Sequence, residues 1–280
     1  MINPSAKIED AYSALINGIR EFMSPTGTSK VILGLSGGID SAVVAALATK
    51  ALGNENVHAF LMPSEFSTLH SVQDAVDLAE NLNIKYNVIP ISSIYNRFTR
   101  ELIPVFGVDN KWNVAEENLQ ARIRGTLLMA YSNKFNALVL NTTNKSELCC
   151  GYGTLYGDLV GAAMVLADLY KCEVYELAEY INSNDNVIPY STMTKAPSAE
   201  LRQGQKDSDS LPDYSILDPL LYALIEGGKS REDVIKEGFD TNIVDRVITL
   251  MSLSKFKMCQ LPPIFNISKK PMGYEQKWAL

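Results

Sequence analysis

The stretch VILGLSGGIDSAVVAAL, residues 31–47, decides the fold, because a short apolar run turns at two glycines into an apolar helix pattern. Glycines permit a tight turn and let backbone N–H groups approach an anion, and the following helix offers its N-terminus to the same anion. The turn lacks the GK[ST] ending of a Walker A loop. We therefore predict a phosphate-binding loop made of Gly34, Leu35, Ser36, Gly37, Gly38, Ile39, Asp40 and Ser41.

The sequence around this loop alternates between strand and helix patterns. Apolar runs predict strands at 31–35, 57–62, 86–91 and 137–140, and apolar residues at helical spacing predict helices at 8–22, 42–52, 68–82 and 115–133. This alternation predicts an α/β fold with a doubly wound parallel sheet and helices on both faces. Ligands bind at the carboxyl ends of the strands in such sheets, where the polar segments 36–41, 62–64 and 141–147 lie.

The second part of the chain is predicted to be mostly helical. Helix patterns cover 173–182, 215–226, 230–237 and 241–253. The polar segment 200–214 is either a solvated loop or a mobile lid over a site. We expect one domain over residues 1–280, with a nucleotide-binding α/β core at 1–172 and a mostly helical part at 173–280.

The composition and charge of the chain disfavour several classes of function. The formal net charge of −7 and the pI near 5.0 disfavour a nucleic-acid partner, which attracts basic surfaces. The cysteines form no CxxC pair, and neither histidine lies near a cysteine in the sequence, which disfavours a zinc site. The chain shows no signal-peptide pattern and no apolar run long enough to span a membrane, so we expect a cytoplasmic protein with reduced thiols at Cys149, Cys150, Cys172 and Cys259.

The glycine turn resembles the SGGxDS signature of the ATP pyrophosphatases, which cleave ATP between its α and β phosphates. Later segments resemble the NAD synthetases in particular, and the resemblance runs from about residue 9 to about residue 275. The segments are ENLQARIR at 117–124, TTNKSE at 142–147, GYGTLYGD at 151–158, KAPSAEL at 195–201 and LPDYSILD at 211–218.

This resemblance implies a Rossmann-like ligase that forms a C–N bond. It would convert nicotinic acid adenine dinucleotide (deamido-NAD) to NAD through an acyl adenylate, with ATP as co-substrate, Mg²⁺ as cofactor and ammonia as nitrogen donor. Asp40 and Lys171 are the implied catalytic residues, and Asp40 and Glu147 the implied magnesium ligands. The resemblance further implies ATP contacts from Thr142, Lys171 and Ser198, and dinucleotide contacts from Asn118, Arg122, Glu147, Asp158 and Lys257.

Several roles stay open in the sequence. Glu147 could serve the metal or the dinucleotide, Lys171 could be an exposed lysine, and the arginines of 117–124 could lie on a solvated helix face. Asn118 and Arg122 share one face at helical spacing, which favours Arg122 as an anion contact. A non-catalytic nucleotide-binding module, a tRNA-modifying enzyme and other amidating ligases of the same superfamily are the rival interpretations.

The end of the chain departs from the family pattern. Met258 and Cys259 replace two family arginines, and the arginine-rich finish after Gly273 is absent. The glutamine-dependent members carry a glutaminase domain before the synthetase, and the segment before the glycine turn is too short for one. We therefore expect free ammonia as the nitrogen source, with a separate glutaminase subunit as an open alternative. The resemblance also implies a homodimer with the dinucleotide site at the subunit interface.

Overall fold

A computed structural model describes residues 7–107 and 111–268, so the predicted departure after Gly273 lies outside the described residues. Five parallel strands form one sheet in the order β3-β2-β1-β4-β5. The predicted α/β class is confirmed. The strands are β1 (Val31–Gly34), β2 (Val57–Leu61), β3 (Lys85–Val88), β4 (Leu138–Asn141) and β5 (Ala163–Met164).

Helices follow most of the strands. Those of the described chain are α1 (Ile8–Met23), α2 (Ile39–Leu52), α3 (Leu69–Asn81), α4 (Ser92–Phe106), α5 (Val114–Phe135), α6 (Lys145–Cys149), α7 (Lys171–Asn184), α8 (Tyr190–Thr194), α9 (Tyr214–Ile225), α10 (Arg231–Lys236) and α11 (Thr241–Met258). The sequence patterns predicted neither α4, α6, α8 nor β5.

Both faces of the sheet are covered because consecutive residues of its strands point to opposite sides. In β1, Val31 and Leu33 pack into an apolar cluster with α1, α2, α3 and α7. Ile32 packs into the cluster on the other face, which includes Ile123 and Leu128 of α5. The pocket-forming edge of the sheet is therefore flanked by helices from two separate layers.

The helices after residue 172 pack mainly around a further apolar cluster. It joins α9, α10 and α11 to Cys149, Cys150 and Tyr170, which belong to α6 and the start of α7. The four cysteines of the chain are free thiols. Within 7–107 and 111–268, no helix has the length and apolar character needed to cross a membrane. The division of the chain at residue 172 stays a prediction.

Candidate active site

A cavity of about 300 Å³ opens at the carboxyl edge of the sheet. It is walled by the ends of β1, β2 and β4 together with α2, α3, α5, α7 and the segment 195–201. Most of the residues predicted for the site line this one cavity: Gly34, Leu35, Ser36, Gly38, Ile39, Asp40, Ser41, Thr142, Glu147, Asp158, Lys171 and Ser198.

The predicted phosphate-binding loop, residues 34–41, is stabilised by its own hydroxyl groups. Ser41 Oγ donates to Gly38 O at 3.0 Å, and Gly38 N donates to Ser36 Oγ at 3.2 Å. Because α2 begins at Ile39, the free backbone N–H groups of its first turn lie at the cavity. Unpaired N–H groups and the helix dipole favour an anion at this position.

Gly37 serves the packing of the loop and lies behind the cavity lining. Its φ of +78° is in the left-handed region, and a Cβ placed on it would lie 2.1 Å from the carbonyl oxygen of Ser71 in α3. No side chain fits there. The predicted phosphate contact of Gly37 is the one loop position that the structure places outside the cavity wall.

Lys171 lies at the centre of an acidic cluster inside the cavity. Its side chain is 3% exposed, and its ammonium forms an ion pair with Asp40 and lies 3.5 Å from Glu147 Oε1. The predicted alternative of an exposed lysine is therefore wrong. Asn144 donates to Asp40 Oδ1 at 3.0 Å, which fixes the rotation of that carboxylate.

The charges of this cluster are strongly coupled. Burial lowers the pKa of Lys171, but the negative charges of Asp40 and Glu147 outweigh it and raise that pKa above its ordinary value. Burial, followed by the charge of Asp40, raises the pKa of Glu147 to about 8. Burial also raises the pKa of Asp207, which acts electrostatically on Lys171. Three carboxyl groups thus act electrostatically on one ammonium. When they are ionised, their negative charge exceeds the single positive charge of Lys171, which favours binding of a further cation.

The predicted magnesium ligands, Asp40 and Glu147, have the chemistry needed to hold a Mg²⁺ ion together with the phosphates of a substrate. Within the described ranges, no group of three or more His, Cys, Asp or Glu side chains could hold a metal ion alone. Mg²⁺ is usually held by one or two carboxylates together with substrate phosphates. Asp40 and Glu147 both reach one point in the cavity, the Lys171 ammonium, and the loop that would hold phosphates is adjacent.

Asn118, Arg122 and Lys257 hold the segment 151–158 from outside the cavity. Lys257 donates to Gly151 O at 2.7 Å and to Gly153 O at 2.6 Å. Thr154 Oγ1 donates to Asn118 Oδ1 at 2.7 Å, Arg122 Nε donates to Leu155 O at 3.3 Å, and Thr154 N donates to Asp158 Oδ1 at 2.7 Å. Of the predicted dinucleotide contacts, only Glu147 and Asp158 line the main cavity. The binding roles of the other three stay predictions.

The segment 195–211, called the strap below, contributes residues 195–201 and Asp207 to the cavity wall and joins the two helix layers. On the α3 side, Glu200 accepts hydrogen bonds from the hydroxyl groups of Thr68 and Ser71 at 3.1 and 2.7 Å. On the α5 side, Gln120 Nε2 donates to Leu201 O at 2.7 Å, and Arg202 pairs with Glu117 at 3.1 Å. The strap contains most of the polar segment 200–214, which is therefore packed on the site.

Comparison with known proteins identifies the family. The family model described as NAD synthase matches residues 11–262. The chain belongs to the NAD synthase family. A glutamine-dependent NAD(+) synthetase of Synechocystis is 46% identical over 270 residues, which cover 96% of this chain and 48% of that protein. The chain thus spans about half the length of the curated relatives that it matches.

Solved structures of the NAD synthase family and its neighbours show the same fold. The NH3-dependent NAD synthetase of Campylobacter jejuni matches with a TM-score of 0.73 and 34% identity, over 90% of this chain and 96% of that one. The NMN synthetase of Francisella tularensis matches with a TM-score of 0.77 and 29% identity, over 95% of this chain and 99% of that one.

Arg124 is a member of the site that sequence reasoning missed. Its guanidinium lines the cavity, and its Nε donates to Met62 O at 3.0 Å. Burial lowers the pKa of Arg124 to about 10, which still leaves it charged at neutral pH. Arg122, by contrast, lines a separate groove between α4 and α5. Residues Ala121, Arg124, Gly125 and Leu128 form the inward stripe of α5, a spacing that could have pointed to Arg124.

Proposed function

We propose that this member of the NAD synthase family amidates deamido-NAD to NAD, with ATP, Mg²⁺ and ammonia as the other reactants. One observation carries the proposal: a single cavity joins the phosphate-binding loop, Lys171 with its carboxylates, and the Arg124 and Asp158 side chains from the opposite wall. A reaction between a triphosphate and a second anionic substrate needs these elements to face each other.

The chemistry begins with activation of a poor acyl donor. The nicotinate carboxylate oxygen forms a bond to the α phosphorus of ATP, the bond to the β-phosphate oxygen breaks, and pyrophosphate leaves. Lys171, desolvated but kept charged by Asp40, is aimed at the negative charge that develops on these oxygens. Mg²⁺, when held by Asp40 and Glu147, supplies further neutralisation of the phosphate charge.

The second step forms the amide. Ammonia attacks the acyl carbon, the bond between that carbon and the adenylate oxygen breaks, and AMP leaves with the electron pair. The amide nitrogen releases one proton to the solvent. The strap and the segment 151–158 contribute to the cavity wall on two sides, so bound substrates leave little space for water that would hydrolyse the acyl adenylate. Neither step needs a side-chain nucleophile, so positioning and charge supply the rate enhancement.

Ammonia is the proposed nitrogen donor because an NH3-dependent NAD synthetase shares the fold at 34% sequence identity. Relatives of up to 46% identity are glutamine-dependent, so glutamine is the alternative donor. To test this, the purified protein is mixed with ATP, MgCl2 and deamido-NAD, with ammonium chloride in one tube and glutamine in another. NAD is read with a coupled dehydrogenase and pyrophosphate is read separately.

The outcomes separate the alternatives. NAD with ammonium alone supports the proposal, and NAD with glutamine only after a glutaminase is added supports a partner that supplies ammonia. A parallel tube with nicotinic acid mononucleotide tests the smaller substrate, because an NMN synthetase shares the fold. Turnover of the mononucleotide alone, or no product with any acceptor, would contradict the assignment.

The proposed enzyme is a homodimer that uses the α4–α5 face. Ile103 and Phe106 line the groove between α4 and α5 together with Arg122, and the nearby apolar side chains of Val105, Trp112 and Val114 are also exposed. Exposed apolar side chains clustered in one place mark interaction surfaces. Because Val105 is 78% exposed, Val105→Asp should leave the fold intact and convert a dimer to a monomer in sedimentation equilibrium. The cytoplasmic location of the protein stays a prediction.

A further inference from the structure

Thr192 of α8 carries a buried hydroxyl group that the protein leaves without a hydrogen bond. The residue is 2% exposed and lines the main cavity, yet its Oγ1 has no partner among the described residues. Gln120 Oε1 is the other buried side-chain atom of this kind in 7–107 and 111–268. Because an unpaired buried polar group is costly, a cavity-lining one is expected to meet its partner on a ligand.

Lys195, three residues after Thr192, adds a positive charge to the same wall. Its ammonium contacts Asp74 Oδ2 at 2.9 Å and Ser71 Oγ at 3.2 Å, which uses two of its three N–H donors. The cationic side chains of the cavity lining are Arg124, Lys171 and Lys195. Arg124 lies on the α5 wall and Lys171 on α7, so Lys195, which is paired with Asp74 as Lys171 is with Asp40, is the cation on the α8 wall.

The α8 wall stands directly behind the phosphate-binding loop. Ser71, which accepts from Lys195, presses its carbonyl oxygen against Gly37 of the loop. Helix α8 packs on α2 and α3, which cover one face of the sheet, whereas α5 covers the other. The Thr192–Lys195 wall and the Arg124 wall therefore approach the cavity from opposite layers of the fold.

This opposition matches the geometry of phosphoryl-group displacement. In an in-line displacement, the attacking and leaving oxygens lie on opposite sides of the phosphorus. If the nicotinate carboxylate arrives from the wall of Arg124 and Asp158, the pyrophosphate must point toward α8. A pyrophosphate has several oxygen acceptors, which suit one hydroxyl donor and one ammonium donor.

We propose that the Thr192 hydroxyl and the Lys195 ammonium form a subsite for the terminal phosphate of ATP, which holds the pyrophosphate after it leaves. The proposal rests on the proposed function, because it assumes that ATP is cleaved between its α and β phosphates. It adds two residues to the predicted ATP contacts, and it assigns a ligand to an otherwise unpaired group.

The test measures binding of inorganic pyrophosphate with MgCl2 to the full chain by isothermal titration calorimetry, without any other substrate. Thr192→Val and Lys195→Met should each weaken binding roughly tenfold or more, as expected for hydrogen bonds to a charged ligand. Thr192→Ser, which keeps the hydroxyl, should restore it. In steady-state assays, the KM for ATP should rise in the weakened variants, while the KM for deamido-NAD stays unchanged.

Thr194→Val is the matched control, because Thr194 is an exposed threonine of the same helix whose hydroxyl donates to Tyr190 O at 3.0 Å. Unchanged pyrophosphate binding in Thr192→Val and Lys195→Met overturns the subsite, and so does an equal loss in Thr194→Val. Wild-type protein that binds no pyrophosphate also overturns it. Pyrophosphate binding that depends on Thr192, in a protein that makes no NAD, keeps the subsite and defeats the proposed function instead.

Discussion

Two buried lysines, each between two carboxylates, lie 26 residues apart and have opposite characters. Lys145 pairs with Asp168 at 3.0 Å and Glu226 at 2.6 Å, and Lys171 pairs with Asp40 and lies 3.5 Å from Glu147. Their side chains are 0% and 3% exposed. The same three charges thus occur twice in one fold, once away from the cavity lining and once inside it.

The Lys145 cluster is closed by further hydrogen bonds. Lys145 also donates to Ser268 Oγ, and the backbone N–H groups of Ile267 and Ser268 donate to Asp168 at 2.7 and 2.6 Å. The Tyr170 hydroxyl donates to Glu226 at 2.6 Å. These bonds tie α6, α9 and the segment after α11 together, which is a structural role.

The Lys171 cluster, by contrast, leaves its carboxylates open toward the cavity. The side chains of Asp40 and Glu147 are 18% and 16% exposed, whereas that of Asp168 is 0% exposed. A buried lysine–carboxylate cluster therefore indicates function only when the remaining lone pairs of its carboxylates face a space for a ligand. Saturation by the protein's own donors marks the structural case.

The largest effect on stability should come from Lys145→Met. The change leaves Asp168 and Glu226 buried without their cation, and breaking a buried pair in this way costs about 3–5 kcal/mol in the free energy of unfolding. Urea denaturation followed by circular dichroism measures the loss. A loss no larger than that of Lys171→Met would remove the distinction between the two clusters.

Lys171→Met should act on turnover rather than on the fold. Loss of a donor aimed at developing charge lowers kcat by about 10²–10³-fold. Water and Mg²⁺ can reach Asp40 and Glu147, so the free energy of unfolding should fall by less than in Lys145→Met. Single-turnover formation of AMP is the measurement, and a variant that retains half of the wild-type rate would contradict the assigned role.

Glu147→Gln and Glu226→Gln each remove one carboxylate charge, the first from the Lys171 cluster and the second from the Lys145 cluster. We expect Glu147→Gln to raise the MgCl2 concentration needed for half-maximal activity by about tenfold, the lower end of losses seen around metal sites. Glu226→Gln should leave that concentration unchanged and lower the melting temperature. Equal magnesium requirements in both variants would argue against Glu147 as a magnesium ligand.

The last prediction concerns pH dependence alone and involves Glu173 of α7, whose pKa burial raises to about 7 from an ordinary value of 4.5. Between these values the folded protein keeps a proton that the unfolded chain has lost. The free energy of unfolding therefore falls as the pH rises from about 5 to 7, by at most about 1.4 kcal/mol per pH unit.

Glu173→Gln removes this titration, so its urea midpoint should depend less on pH over that window than the wild-type midpoint. Glu176→Gln, the same change at an exposed position of α7, should keep the wild-type slope. Identical slopes in all three proteins would show that Glu173 does not titrate in this window.

The spacing of apolar residues predicted most of the strands and helices, because an element that is buried on one or both faces needs apolar residues at regular positions. Strands β1, β2 and β4 fall within a residue or two of the predicted runs, since their residues face apolar layers on both sides. Helix α4 was missed: Pro104 interrupts its pattern, and Tyr95 is its one buried residue. Strand β5 was missed because two residues carry no period, and only its pairing with β4 defines it.

The part of the candidate site that is formed by one local motif could be located from the sequence. The part that is brought together by tertiary contacts was harder to locate. The loop 34–41 lines the cavity as predicted, apart from Gly37, whose reason lies in α3. Helical spacing put Asn118 and Arg122 on one face, but spacing alone does not say which face meets the cavity, so Arg124 was overlooked. Asp207 and Thr192 became visible only through the folded strap and α8.

The strap has a consequence for the order in which the molecule assembles. Its anchor Glu200 meets Thr68, 132 residues earlier in the chain. Such a contact forms late, because closing a long loop costs entropy before the contact gives anything back. During synthesis, residues 34–41 and Lys171 leave the ribosome before the strap does. The nascent chain can therefore fold its sheet first, and the wall of the cavity is completed only once residues 195–211 have emerged.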